Sequence, residues 1–193
     1  MAHHRVKLLA VKNRRQEVLV TAYGLMGTKG LESVHARTVA AEIGINHATI
    51  HYYFPTRSDL LVGIAEYALQ ILLEDRERFQ EGAASAREKV ENELALGEAY
   101  CRKQSRFVKV LAGLYVAGTA DPAVRKKLKG LWTAWGKIFQ EQMKVSKAKK
   151  ESPFTDPDLL LATVFGLGLA SHMLDGQLGA LEKVDRIGKS LFG

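Results

Sequence analysis

Val39-Ala40-Ala41-Glu42-Ile43-Gly44-Ile45-Asn46-His47-Ala48-Thr49-Ile50 holds the turn on which the reading of the chain rests. Val39, Ala40 and Ile43 give the inward edge of a short helix over residues 36–43. Gly44 stands where a left-handed residue ends a helix. Asn46 carries the short side-chain acceptor an N-cap needs, so a second helix is predicted over 47–53. Ala40 is small enough for the two helices to cross closely, and Ile45 fills the angle between them. Ile50 and Phe54 face inward. Two short helices joined this way have the spacing of a helix-turn-helix, whose second helix enters the DNA major groove. The residues left outward are His47, Ala48, Thr49, His51 and Tyr52, short polar or aromatic groups suited to base edges and phosphates.

Working outward, a first helix is predicted over about 11–26, with Val18, Leu19, Ala22, Leu25 and Met26 as its apolar stripe and Gly27 to Gly30 ending it. After the pair, Phe54-Pro55 breaks helical geometry. Thr56-Arg57-Ser58-Asp59 reads as a capping box for a long fourth helix reaching Phe79, whose charged end, 74–78, is expected in solvent. Gly82 to Ser85 is a small-residue break. Further helices are expected at about 86–104, 105–118, 121–147, 156–175 and 182–191. Asp121-Pro122 and Asp156-Pro157 each pair a capping acid with a first-turn proline. Residues 147–153 read as a solvated loop. No internal repeat and few strand signals are present, so the fold class is all-α.

The chain has 193 residues, 47% hydrophobic and 25% charged, within the ordinary range of a globular protein. No apolar run approaches the roughly 20 residues that span a bilayer, and the N-terminus lacks a secretory apolar core. With one cysteine, Cys101, no internal disulfide forms, and a cytoplasmic location is expected. The net charge is +7, of which the first 60 residues carry +4. Arg5, Lys7, Lys12, Arg14 and Arg15 face no acid up to residue 15. Such an arm suits a polyanion, since phosphate contacts release counterions, or is simply a solvated terminus.

Residues 15–61 resemble the DNA-binding region of the tetracycline-repressor family. The landmarks are the first helix, Gly30, Val39-Ala40, Gly44-Ile45-Asn46, Ala48-Thr49-Ile50, Tyr52-Tyr53-Phe54 and Thr56-Arg57-Ser58-Asp59-Leu60-Leu61. The resemblance implies a three-helix DNA-binding domain with a basic arm at 1–55, and a helical effector-binding and dimerisation domain at 56–193. It implies a homodimeric repressor that reads a palindromic operator on double-stranded DNA and is released by an unidentified small apolar or amphipathic effector. By the same match, His47, Ala48 and His51 fall where bases are touched. Arg37 and Thr38, at the start of the second helix, fall where base or phosphate contacts are made. Thr49, Tyr52, Tyr53 and Arg57 fall where phosphate contacts are usual. His51 departs from the family's tyrosine, which puts the operator sequence in doubt.

Each of these has a plainer reading. Tyr53 can simply seal the joint between helices, and Arg57 can be a solvated helix-start residue. His47 and His51 are four apart, the spacing of a zinc-binding pair, yet no third ligand lies nearby, so no metal is expected. For an effector pocket the candidates are Tyr100, Phe107, Leu111, Tyr115, Trp132, Trp135, Phe139 and His172, although aromatic residues at helical spacing are ordinarily core. Small residues at 162, 166 and 170 permit a close helix contact. With Leu128, Leu131 and Met173 they form the candidate dimer interface; the same small residues can instead make room for a ligand. No acid pair, cysteine–histidine partner or phosphate-cradling glycine loop suggests an enzyme, and no cofactor is expected. The alternative regulator is a helix-turn-helix protein governed by a protein partner rather than a small molecule.

Overall fold

The computed structural model describes residues 2–102, 105–146, 148, 152–174 and 179–193, with side chains from residue 14 onward. Its elements run α1 (Ala2–Lys29), a 3-10 turn (Leu31–Ser33), α2 (Ala36–Ile43), α3 (His47–Tyr53), α4 (Arg57–Gln80), α5 (Ala86–Cys101) and α6 (Arg106–Ala120). They continue with α7 (Pro122–Val145), a second 3-10 turn (Pro153–Thr155), α8 (Pro157–Met173) and α9 (Ala180–Phe192). Among the described residues there is no strand, as an all-α chain requires. By its contacts the chain divides into two compact units, residues 1–69 with 109–128 and residues 70–108 with 129–193.

The first unit is built on α1, whose predicted stripe of Val18, Leu19, Ala22, Leu25 and Met26 is buried. The helix is longer than its sequence suggests, starting at Ala2 instead of about residue 11 and ending at Lys29 instead of about residue 26. α4 lies close against it. A Cβ added to Gly63 would stand 2.8 Å from both Leu19 Cδ2 and Phe54 Cε1, so this position keeps α4 near α1 only while it lacks a side chain. Tyr23 meets Tyr67 edge-on at 5.3 Å. Glu66 gathers Lys127 at 2.7 Å and Arg15 at 3.8 Å. Asp121 caps α7 by accepting from the N–H groups of Ala123 and Val124. A hydrogen bond from Ser58, helped by those two backbone bonds, holds its carboxyl below the usual carboxylate value.

In the second unit α5 packs on α8 and α9 around Val90, Leu94, Cys101, Phe139, Met143, Leu160, Val184, Ile187 and Leu191. α9 presents Ala180, Val184, Ile187 and Leu191 inward at spacings of three and four, as an amphipathic helix should. Gly97 lets α8 approach closely, since a Cβ there would stand 2.7 Å from Val164 Cγ1. Ser85 caps α5, accepting from Glu88 N–H at 3.1 Å, while Glu88 reaches back to Ala84 N–H at 2.7 Å. Asp156 caps α8 ahead of Pro157 as expected.

Three expectations change here. The acidic and basic end of α4 is not all in solvent: the side chain of Arg76 is 19% exposed and that of Glu93, its ion-pair partner on α5, is 1% exposed. Glu93 also accepts from Gln80 Nε2 at 3.0 Å and from Trp135 Nε1 at 3.4 Å. A carboxylate out of water needs such donors, and α4 and α7 supply them. Ser152 is not part of a solvated loop either: it is buried, caps the second 3-10 turn and hydrogen-bonds Ser190 at 2.9 Å. Helix ends also shift. α5, α7 and α8 close at Cys101, Val145 and Met173, and the expected last residues Gln104, Lys147 and Asp175 lie outside the described residues.

Cys101 is buried, and its thiol is pushed up from 9.0 to about 11 by desolvation and then by the charge of Glu98. The folded chain therefore keeps this proton longer than the unfolded one. Stability is expected to fall as pH rises from 9 towards about 11. Near neutral pH the thiol should resist iodoacetamide until urea unfolds the chain, and mass spectrometry reads the alkylated fraction. Fast alkylation of the native protein would contradict this burial.

Candidate nucleic-acid interface

The loop joining α2 to α3 does what its sequence requires. Gly44 takes φ 76° and ψ 35°, left-handed geometry that costs glycine little. Its N–H donates to Ala41 C=O at 3.3 Å, and Ile45 N–H donates to Ala40 C=O at 2.9 Å. These paired bonds form a Schellman closure. Asn46 Oδ1 then accepts from Ala48 N–H at 2.9 Å and starts α3. Thr56 Oγ1 accepts from Asp59 N–H at 3.1 Å, and Thr56 N–H donates to Asp59 Oδ2 at 3.0 Å. Both halves of that capping box fix the first turn of α4.

α3 consequently has two faces. Ile50 is 0% exposed and Phe54, just past the helix, is 2% exposed, and α3 packs on α2. His47, Ala48, His51 and Tyr52 are exposed, and Thr49 and Tyr53 are half-buried. Tyr52 stands 74% exposed, its ring edge-on to Tyr53 at 5.0 Å. His47 and His51 lie with ring centroids 6.2 Å apart. Among the described residues no group of three or more His, Cys, Asp or Glu gathers to hold a metal. His51 Nδ1 lies 3.4 Å from Pro55 C=O. When Nδ1 carries the proton it donates there, which leaves Nε2 as an outward acceptor. That tautomer suits a base amino group. Arg37 is exposed and Thr38 half-buried in the first turn of α2.

Arg57 is placed differently from the others. Its Nε donates to Val34 C=O at 3.3 Å and its Nη2 to Leu31 C=O at 3.2 Å, with Glu32 3.9 Å away. The partners lie 23 and 26 residues upstream, so no local signal in the sequence indicates them.

The residues proposed for an effector are dispersed. Leu111 and Tyr115 belong to the first unit and the other six to the second. The Tyr115 phenol is raised above its usual value by burial. Tyr100 stacks on Phe107 at 4.3 Å and donates to Asp75 at 2.8 Å. Trp132 Nε1 donates to Asp158 at 2.8 Å, and Trp135 turns to Glu93. Phe139 is core and His172 half-buried. Of the dimer candidates, Ala162 and Gly166 are exposed, Met173 is 75% exposed, and Ala170 is half-buried. Leu128 and Leu131 are corrected: each is 5% exposed, packed inside its own protomer and without surface for a partner.

Comparison with known proteins bears on this geometry. Residues 18–64 match the model of bacterial regulatory proteins, tetR family. The chain is similar to the nucleoid occlusion factor SlmA of Haemophilus influenzae, 24% identical over 110 residues, which is 56% of this chain and 50% of that protein. It thus spans about half the length of the curated relatives it matches. Two solved structures share the fold. A transcriptional regulator from Saccharomonospora viridis in complex with choline has TM-score 0.75 and 22% identity, covering 92% of this chain and 93% of that one. A tetR-family regulator from Agrobacterium tumefaciens has TM-score 0.79 and 15% identity, covering 95% of this chain and 100% of that one.

Proposed function

From the premise that residues 18–64 belong to the tetR family of bacterial regulatory proteins, we propose that this chain is a transcriptional regulator that binds double-stranded DNA as a homodimer. The observation that carries the proposal is α3 itself. It is raised on the Gly44 turn, anchored by Ile50 and Phe54, and leaves His47, Ala48, His51 and Tyr52 exposed among the described residues. A helix so presented fits the major groove. His47, Ala48 and His51 contact base edges. Thr49, Tyr52 and Tyr53 contact phosphates, and Arg37 and Thr38 bind at the start of α2.

The second copy packs against the exposed face of α8 at Ala162, Gly166 and Met173, where small side chains let another helix approach. An effector acting on the helical C-terminal half relieves repression. Among the described residues no helix is long and apolar enough to cross a membrane, and the protein works in the cytoplasm with the DNA it reads.

Selection of duplexes from a random pool with purified protein tests the core of this reading, and a two-fold symmetric consensus is expected. His51→Ala should relax one position in each half-site, with a discrimination loss of about 1–3 kcal/mol there. Thr49→Ala should weaken all duplexes alike. An unchanged consensus after His51→Ala would remove that residue from base reading.

A second reading, as a nucleoid occlusion factor, is favoured by the match over 110 residues, which extends well beyond the tetR-family segment. Deleting the gene separates the two. A regulator changes transcripts of genes beside its sites, whereas an occlusion factor changes where cells divide relative to the nucleoid.

A further inference from the structure

The entry to α2 is an unusual piece of backbone. Gly30 takes φ 84°, the 3-10 turn follows, and Val34 leaves it at φ −90° and ψ 83° before His35 extends into α2. Part of this path is held locally. Ser33 Oγ donates to Gly30 C=O at 2.6 Å and to Leu25 C=O at 3.2 Å, and Val34 N–H donates to Leu31 C=O at 3.1 Å. The rest is held from α4. One guanidinium, that of Arg57, spans the carbonyls of Leu31 and Val34, and Val34 is itself 0% exposed. Arg57 is fixed in turn, because it is the first residue of α4 and the Thr56–Asp59 box sets that turn.

We propose that Arg57 is a positioning residue for the reading head, and that it acts on DNA through the placement of α2 rather than as a phosphate ligand. This rests on the DNA-binding reading above. The strut joins the start of α4 to the segment that launches Arg37 and Thr38, so it sets where those two side chains meet the duplex. Its chemistry requires arginine. A planar fork can donate to two carbonyls at once in fixed geometry, whereas a lysine ammonium on a flexible stem holds neither in place.

The experiment compares wild type, Arg57→Lys and Arg57→Ala for duplex affinity across a series of salt concentrations. Amide hydrogen exchange of the free proteins is measured alongside. A strut predicts that both variants lose about tenfold in affinity, since charge-assisted bonds are removed in each. It predicts that the slope of log affinity against log salt stays at the wild-type value. Arg37→Ala should then cost less in the Arg57→Lys background than in wild type. A phosphate ligand predicts the opposite: Arg57→Lys binds like wild type, and Arg57→Ala lowers the slope by about 0.9. Either of those results overturns the proposal.

Hydrogen exchange separates this proposal from the DNA-binding reading. Residues 34–39 should exchange faster in Arg57→Lys without any DNA present. If the wild-type chain binds no duplex, the DNA-binding reading fails while faster exchange still shows the strut. Unchanged exchange with normal DNA binding defeats the strut alone.

Discussion

Glu93→Ala is expected to destabilise the chain by about 3–5 kcal/mol, the cost of breaking a buried ion pair from one side. The side chain is 1% exposed, and its oxygens receive Arg76, Gln80 and Trp135. Alanine leaves a half-buried guanidinium, an amide and an indole N–H facing a void that none of them can fill. Glu93→Gln keeps the acceptor oxygen and nearly the same volume, so its loss should be clearly smaller. Urea unfolding by circular dichroism measures both, with the slope checked for constancy so that the midpoint shift reports stability. If Glu93→Ala moves the midpoint no more than a surface substitution such as Lys137→Ala, the network is not the structural element described here. Replacing Arg76 and Glu93 together by apolar residues should cost less than either single change, because no lone charge remains.

The second large effect falls on the turn between α2 and α3. A Cβ at Gly44 would meet nothing within 4 Å, so any penalty there comes from the backbone and not from crowding. For a β-branched residue the left-handed geometry at φ 76° costs about 1–2 kcal/mol. Gly44→Val should therefore retain helix content but lose roughly tenfold or more in duplex affinity as the turn relaxes and α3 leaves its presented angle. Gly44→Asn should lose much less, since asparagine tolerates this region. Fluorescence anisotropy with the selected operator measures both. Equal affinity for Gly44→Val and wild type would mean that the turn does not set the reading angle.

The parts of the fold legible in the sequence are those written by neighbours in the chain. α2 and α3 end where Gly44, Asn46 and the Phe54-Pro55 break place them, because each device acts within four residues. The capping box at Thr56 and the aspartate caps at 121 and 156 are local in the same sense. Features made by tertiary contact were not legible. Glu93 and Arg76 are 17 residues apart, and Arg57 lies further still from its carbonyl partners. Periodicity marks both members of such pairs as ordinary surface charges. α8 shows the other limit. Leu159, Leu160, Leu161, Val164 and Leu167 leave it apolar on almost every side, so the pattern gives no direction. Packing puts Leu160 and Leu161 inside and Ala162 and Gly166 outside. Leu128 and Leu131 were misplaced for the same reason, since an apolar residue on an amphipathic helix serves a core or a partner equally well by sequence.

The chain has one cysteine, and it is sealed inside the second unit. Nature has thereby left the surface blank to thiol chemistry. A nitroxide introduced through His47→Cys would sit at one known place on the chain, with no background label to subtract. In the homodimer proposed above, electron paramagnetic resonance would give the span between the two labels directly, and a candidate effector could be scored by how far it moves that span.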